Sequence, residues 1–309
     1  MNRTISESAA LVGLFLLLAA WCTAGWLAPV AVPERAFPAA LPAAGILLAN
    51  MFLLSLACNR ILAEDSLFTP VAYLLLATVN PAALWFTPFH GASLLMAVSL
   101  FFLLGFCAVK PGMGSLIGAW SALGAAALLF PPLLWLLPVY LVIAVGKAEE
   151  KMKFWTASLL AVCLPIGIWL GVCSLTVGQS VGGFFGHFWE QMTDVPRVRL
   201  HFPAATLCRL ILTAIAVVLA LISAVGRLDS YKIARSAAVI RIIILTLAIS
   251  LLMGLFCPDN RYPAGLVTAL PVSLLLNEYF GPANRKKGVW TLGFILLLVL
   301  LVERITYFV

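Results

Sequence analysis

Arg197, Arg199 and His201 alternate with apolar residues in the stretch Val195-Pro196-Arg197-Val198-Arg199-Leu200-His201. In an extended segment, alternate side chains project to one face. Two guanidiniums and an imidazole on one face suit a phosphate or pyrophosphate, because a guanidinium matches phosphate oxygens with paired donors. The same side chains also serve as ordinary anchors at the headgroup level of a bilayer. Both readings stay open at the level of the sequence.

Just before this stretch lies Phe184-Phe185-Gly186-His187-Phe188-Trp189-Glu190-Gln191-Met192-Thr193-Asp194. Phe184, Phe185, Phe188, Trp189 and Met192 recur at helical spacing, and His187, Glu190, Gln191 and Asp194 fall opposite them. That pattern predicts an amphipathic helix over 183–194, lying in the membrane interface with its rings down. A zinc site on His187, Glu190 and Asp194 would need His90 or His201 to come within reach, and no metal is expected. Other polar groups able to act are Glu34, beside Arg35; His90, in Thr87-Pro88-Phe89-His90-Gly91; and Asp259 and Arg261, in one short turn. A carboxylate such as Glu34 or Asp259 has the chemistry of a general base. Arg197, Arg199 or Arg261 has that of a phosphate holder.

The elements that must position these groups are membrane helices. Of the 309 residues, 63% are hydrophobic and 10% charged, against about 25% charged in soluble domains. The runs divide into about eleven spans: 8–28, 41–58, 69–86, 92–109, 114–130, 132–146, 154–176, 204–225, 238–256, 263–279 and 288–308. The fold expected is an all-α polytopic helix bundle, one transmembrane domain over 1–309, with one outer interfacial helix. The first run, Ala9 to Leu27, reads as a retained helix rather than a cleaved leader.

Charge orients the bundle. With the N-terminus in the cytoplasm, thirteen of the 19 Lys+Arg fall on the inner side, as the positive-inside rule requires. Arg35, Arg197, Arg199, Arg209, Arg261 and Arg304 remain outside, with all three histidines. This balance needs two passes, not one, between Ser115 and Gly146, with a tight outer turn at Phe130-Pro131-Pro132. Asn80-Pro81 and Pro138 predict further breaks, since proline removes a backbone donor. The net charge of +7 belongs to loops facing anionic lipid and does not indicate nucleic acid. The seven cysteines sit in apolar runs without CxxC spacing and read as packing residues. Walker and GxGxxG motifs do not occur. Within the spans Asn50, Asn80 and Glu278 are the conspicuous polar groups, too few to suggest an ion-coupled carrier.

Ala49-Asn50 through Asn59-Arg60, the Asn80-Pro81 break and Leu128-Leu129-Phe130-Pro131-Pro132 through Trp135 and Pro138 resemble an uncharacterised family of multi-pass inner-membrane proteins of Bacteroidota bacteria. The resemblance implies the bacterial inner membrane. A more distant likeness is to C-type glycosyltransferases, which use polyprenyl-phosphate sugars and act at the outer face. They carry an acidic residue in the first outer loop, where Glu34 stands here; their loop is long, and this one is about a dozen residues. The function expected is an outer-face site for a phosphate-linked lipid, with transfer from a polyprenyl-phosphate-linked donor as its enzymatic form. A scaffold or accessory subunit docking an envelope protein is the alternative, and a transporter of an amphipathic or anionic solute the third.

Overall fold

A computed structural model of the chain describes residues 36–62, 67–108, 112–145, 151–176, 180–195, 204–231, 233–257, 264–280 and 287–306. The expected first span (8–28), Glu34, Arg197, Arg199, His201, Asp259 and Arg261 lie outside them. Among the described residues there are eleven α-helices and no strand. They are α1 (Ala36–Ala57), α2 (Phe68–Ala77), α3 (Pro88–Ala108), α4 (Met113–Leu129), α5 (Leu137–Val145), α6 (Lys151–Thr176), α7 (Val181–Thr193), α8 (Ala204–Val225), α9 (Ile233–Phe256), α10 (Gly265–Phe280) and α11 (Lys287–Thr306). These are not the eleven expected spans. The first expected span is outside the description, and α7 is the helix expected in the loop between the seventh and eighth spans. Among the described residues, five helical stretches are long and apolar enough to cross a membrane: Ala40–Leu62, Pro88–Phe106, Met152–Thr176, Thr206–Val225 and Arg235–Phe256.

The third expected span, 69–86, is corrected. Its α-helix stops at Ala77 and resumes as a 3-10 turn, Pro81–Leu84. Asn80 precedes a proline, which disfavours the α region, and it sits extended at φ −75°, ψ 118°. Its side chain accepts the Ala82 N–H at 2.9 Å, capping the turn. The Thr78 carbonyl, left without a helical partner at the end of α2, accepts a bond from the Arg304 guanidinium.

The expected turn at Phe130 is present. Phe130 leaves helical geometry at φ −146°, ψ 89°, and a 3-10 helix, Pro131–Leu136, runs into α5. A straight chain would separate Trp120 from Tyr140 by about 30 Å; their rings lie 5.7 Å apart. The Tyr140 hydroxyl also meets Ser99 Oγ at 2.9 Å. The chain has therefore doubled back. Pro138 stands in the first turn of α5, where a missing N–H costs nothing.

α10 forms the centre, touching α1, α2, α3, α8, α9 and α11. Every residue from Ala269 to Glu278 is buried, as a helix apolar all round requires. α6 lies at the periphery and packs along α4. There Gly124 brings the two backbones together: a Cβ on it would sit 2.5 Å from the Val162 carbonyl oxygen.

Long-range contacts sort helix ends into two sets. Arg209 of α8 meets Glu303 of α11, Arg304 meets Thr78, and Trp135 meets Met192 of α7. At the opposite end, Glu278 receives Tyr231, Arg235 and, on its carbonyl, Ser223. Arg209 and Ser223 are fourteen residues apart on α8, about 21 Å. The charge alternation along the sequence predicts this same division of ends.

Candidate functional site

The predicted interfacial helix forms as α7. Ser180 caps it, its hydroxyl accepting the Gly183 N–H at 3.1 Å. Phe184 is buried and stacks on Phe188 at 5.9 Å. Phe185 and Trp189 stay exposed, at 49% and 60%. α7 rests on the 3-10 helix 131–136, and the Trp135 indole N–H donates to the Met192 carbonyl at 3.0 Å. An amphipathic helix lacks a binding partner of its own for that last-turn carbonyl, so the indole fixes where α7 ends.

Beneath α7 lies an open apolar groove of about 460 Å³, inside the ~300–1,000 Å³ range of ligand sites. Its walls are Trp135, Leu136 and Val139 on one side and Ala248, Leu251, Leu252, Leu255 and Phe256 of α9 on the other. Met192, Thr193 and Val195 close its upper end. Val195 is followed in sequence by Pro196-Arg197-Val198-Arg199.

His187, Glu190 and Asp194 do share the polar side of α7, but they hold nothing together. The His187 and Glu190 side chains are 66% and 79% exposed, with Nδ1 4.0 Å from the carboxylate. His187 Nε2 pairs with Gln191 at 2.9 Å. Among the described residues no three His, Cys, Asp or Glu groups converge as metal ligands.

His90 corrects the sequence reading most sharply. Expected on a loop, it is fully buried in the first turn of α3. Nδ1 lies 3.1 Å from the Thr87 N–H and accepts it, so it carries no proton; Nε2 lies 2.8 Å from the Ala83 carbonyl and donates. Both nitrogens are used in stapling the 3-10 turn to α3. Below it, Asn50 Nδ2 meets Tyr73 OH at 2.7 Å and Ser93 Oγ at 3.0 Å, so Asn50 also serves packing between α1, α2 and α3.

The sequence reading missed the buried ion pair. Glu303 is fully buried and Arg209 Nε stands against its carboxylate, with Thr206 bonded to the same group. Arg209 and Arg304 read from sequence as rim charges; their shared signal was a lone acid, Glu303, beside Arg304 at the end of an apolar run. At the other end Arg235 stands 3.5 Å from Glu278 and 4.1 Å over the Tyr231 ring. Tyr231 donates to Glu278 at 2.6 Å; burial first, then that carboxylate, push its phenol above the usual range. Cys257, at the end of α9, is pushed up by burial to about 11, far from a reactive thiolate. Cys58 is buried against Thr69, which agrees with packing cysteines.

No family model, curated protein or solved structure matches this chain. The functional reading therefore rests on the groove and on the residues around it.

Proposed function

We propose that the protein binds a phosphate-linked lipid of the outer leaflet, with the lipid chain in the groove under α7 and the phosphate on Arg197 and Arg199. The observation that carries this reading is the groove itself: an apolar trough whose upper lining includes Val195. Arg197 follows Val195 by two residues in the sequence. A lipid phosphate stays at the interface while its chain enters the apolar region. In the enzymatic form, of C-type glycosyltransferase kind, Glu34 or Asp259 takes the acceptor proton. Arg261, with Arg197 or Arg199, then steadies the charge growing on the leaving lipid phosphate. In the scaffold alternative, the exposed Phe185 and Trp189 carry an envelope protein instead.

Binding of undecaprenyl phosphate to the purified protein in nanodiscs is the test. Arg199→Ala is expected to weaken it about tenfold, one charged hydrogen bond's worth, with protein level unchanged. Undecaprenol, which lacks the phosphate, is expected to bind at least as weakly as the lipid does to that variant. Equal binding of the alcohol and the phosphate by the wild type would return the protein to the scaffold reading.

The reading also requires α7 to face outward. Cysteines placed at Lys110 and at Lys151 are expected to label only from the cytoplasm. Labelling of both from outside the cell would turn the groove inward and remove the outer-leaflet lipid.

A further inference from the structure

We infer that Asn50 holds a single buried water molecule on its side-chain carbonyl, inside the bundle where α1 meets α2 and α3. The site does not depend on the lipid reading, and none of its residues lines the groove. Asn50, Tyr73 and Ser93 come one from each of those helices, and all three are fully buried. Asn50 also stands near the middle of the candidate span Ala40–Leu62. Bulk water is therefore about 15 Å or more away along the helix in either direction.

The hydrogen bonds can be followed proton by proton. The Asn50 amide carries two N–H protons. One goes to the Tyr73 hydroxyl at 2.7 Å, the other to Ser93 Oγ at 3.0 Å. Ser93 gives its own proton to the His90 carbonyl at 2.8 Å, so toward Asn50 it can only accept. That fixes the amide, with its nitrogen facing the two hydroxyls and its oxygen facing away. Turning the amide over would set its oxygen against a Ser93 oxygen with no proton to offer, and would strand both N–H protons instead. Oδ1 is thus left as a buried acceptor with no partner among the described residues, a costly condition for an amide oxygen.

Chemistry narrows the occupant. It must donate a hydrogen bond, because an amide oxygen only accepts. It must be neutral, because Asn50, Tyr73 and Ser93 bring no charge and His90, the next titratable group on α3, has both ring nitrogens engaged. A cation there would lose its hydration with no counter-charge beside it. It must be small, because the surroundings are packed. Leu47 and Leu54, about a turn to either side of Asn50 on α1, are 3% exposed, and Ala92 and Met96 of α3 are fully buried. Water meets all three conditions, and buried waters commonly serve polar atoms of this kind. Since α2 and α3 flank the break at 78–87, the water completes the junction that ties α1 to both arms of that break.

Radiolytic hydroxyl labelling of the purified full-length protein in nanodiscs tests this, because a trapped water generates radicals where bulk solvent does not reach. Tyr73 is expected to be oxidised despite its full burial. Asn50→Leu, which removes the carbonyl and fills its space, is expected to abolish that oxidation. Tyr73 left unlabelled in the wild type, or labelled equally in Asn50→Leu, would overturn the inference. If the leucine variant does not fold, a high-resolution map of the wild type decides alone, and a peak about 2.8 Å from Oδ1 is expected. No peak at that position, or one about 2.4 Å away that marks a cation, would overturn it as well.

Discussion

Arg209→Ala is expected to destabilise the protein by about 3–5 kcal/mol, the cost of leaving a buried charge without its partner. Glu303 is fully buried, and it is held between Arg209 and Thr206 where α8 and α11 meet. Removing the guanidinium strands a carboxylate that can reach no water. A pair of matching apolar or neutral side chains removes that penalty, because desolvation then costs little. The double variant Arg209→Met with Glu303→Gln is expected to recover most of the loss. Unfolding in detergent, followed by tryptophan fluorescence, measures both. A single variant as stable as wild type would show that Glu303 has other support sufficient to hold it, and that the pair is not what joins α8 to α11. Arg304 is a separate case, since its guanidinium serves the Thr78 carbonyl at the end of α2.

The second large effect is expected at Gly124. Its missing side chain lets α4 lie against α6, and a Cβ there would fall 2.5 Å from the Val162 carbonyl oxygen. That neighbour is backbone, so it cannot rotate aside. Gly124→Ala is expected to cost about 1–3 kcal/mol, the usual toll of overpacking. Gly124→Leu is expected to part α6 from the bundle and prevent accumulation in the membrane. Gly167→Ala and Gly171→Ala supply the comparison. A Cβ at either position meets nothing within 4 Å, so both variants should unfold as wild type does. Gly124→Leu protein that accumulates and melts normally would mean that α4 and α6 are not held at this distance.

These effects divide along the same line as the sequence reading. The amphipathic helix at 181–193 was legible because its pattern is local: rings and polar groups alternate within a few residues. The turn at Phe130-Pro131 was legible for two reasons, a pair of prolines that cannot continue a helix and a charge balance that required a reversal. The stop of α2 at Ala77 lay in the same category, since Asn80-Pro81 was recognised as a break, but its consequence was underestimated. A proline acts backwards on the residue before it, and two further residues, Thr78 and Val79, left the α-helix with it.

What could not be read was every pairing across the chain. His90 stands two residues after Pro88 and looks like a loop residue; only the approach of Ala83 and Thr87 buries it and occupies both nitrogens. Arg304 and Thr78 are 226 positions apart, and Arg209 and Glu303 come from different helices. Each of these charges looks solvated when its own neighbours alone are considered. The groove is of the same kind, because it is made by three segments, 135–139, 192–195 and 248–256, that share no local pattern. Composition and periodicity by themselves determined an apolar helical chain, its breaks, its amphipathic helix and the two sets of helix ends, since these follow from rules acting over a few residues or from charge counted along the chain. Tertiary structure alone decided which buried charge meets which, that both His90 ring nitrogens meet the chain's own Thr87 and Ala83, and that an apolar trough lies under α7, because each depends on surfaces brought together from distant parts of the chain by packing.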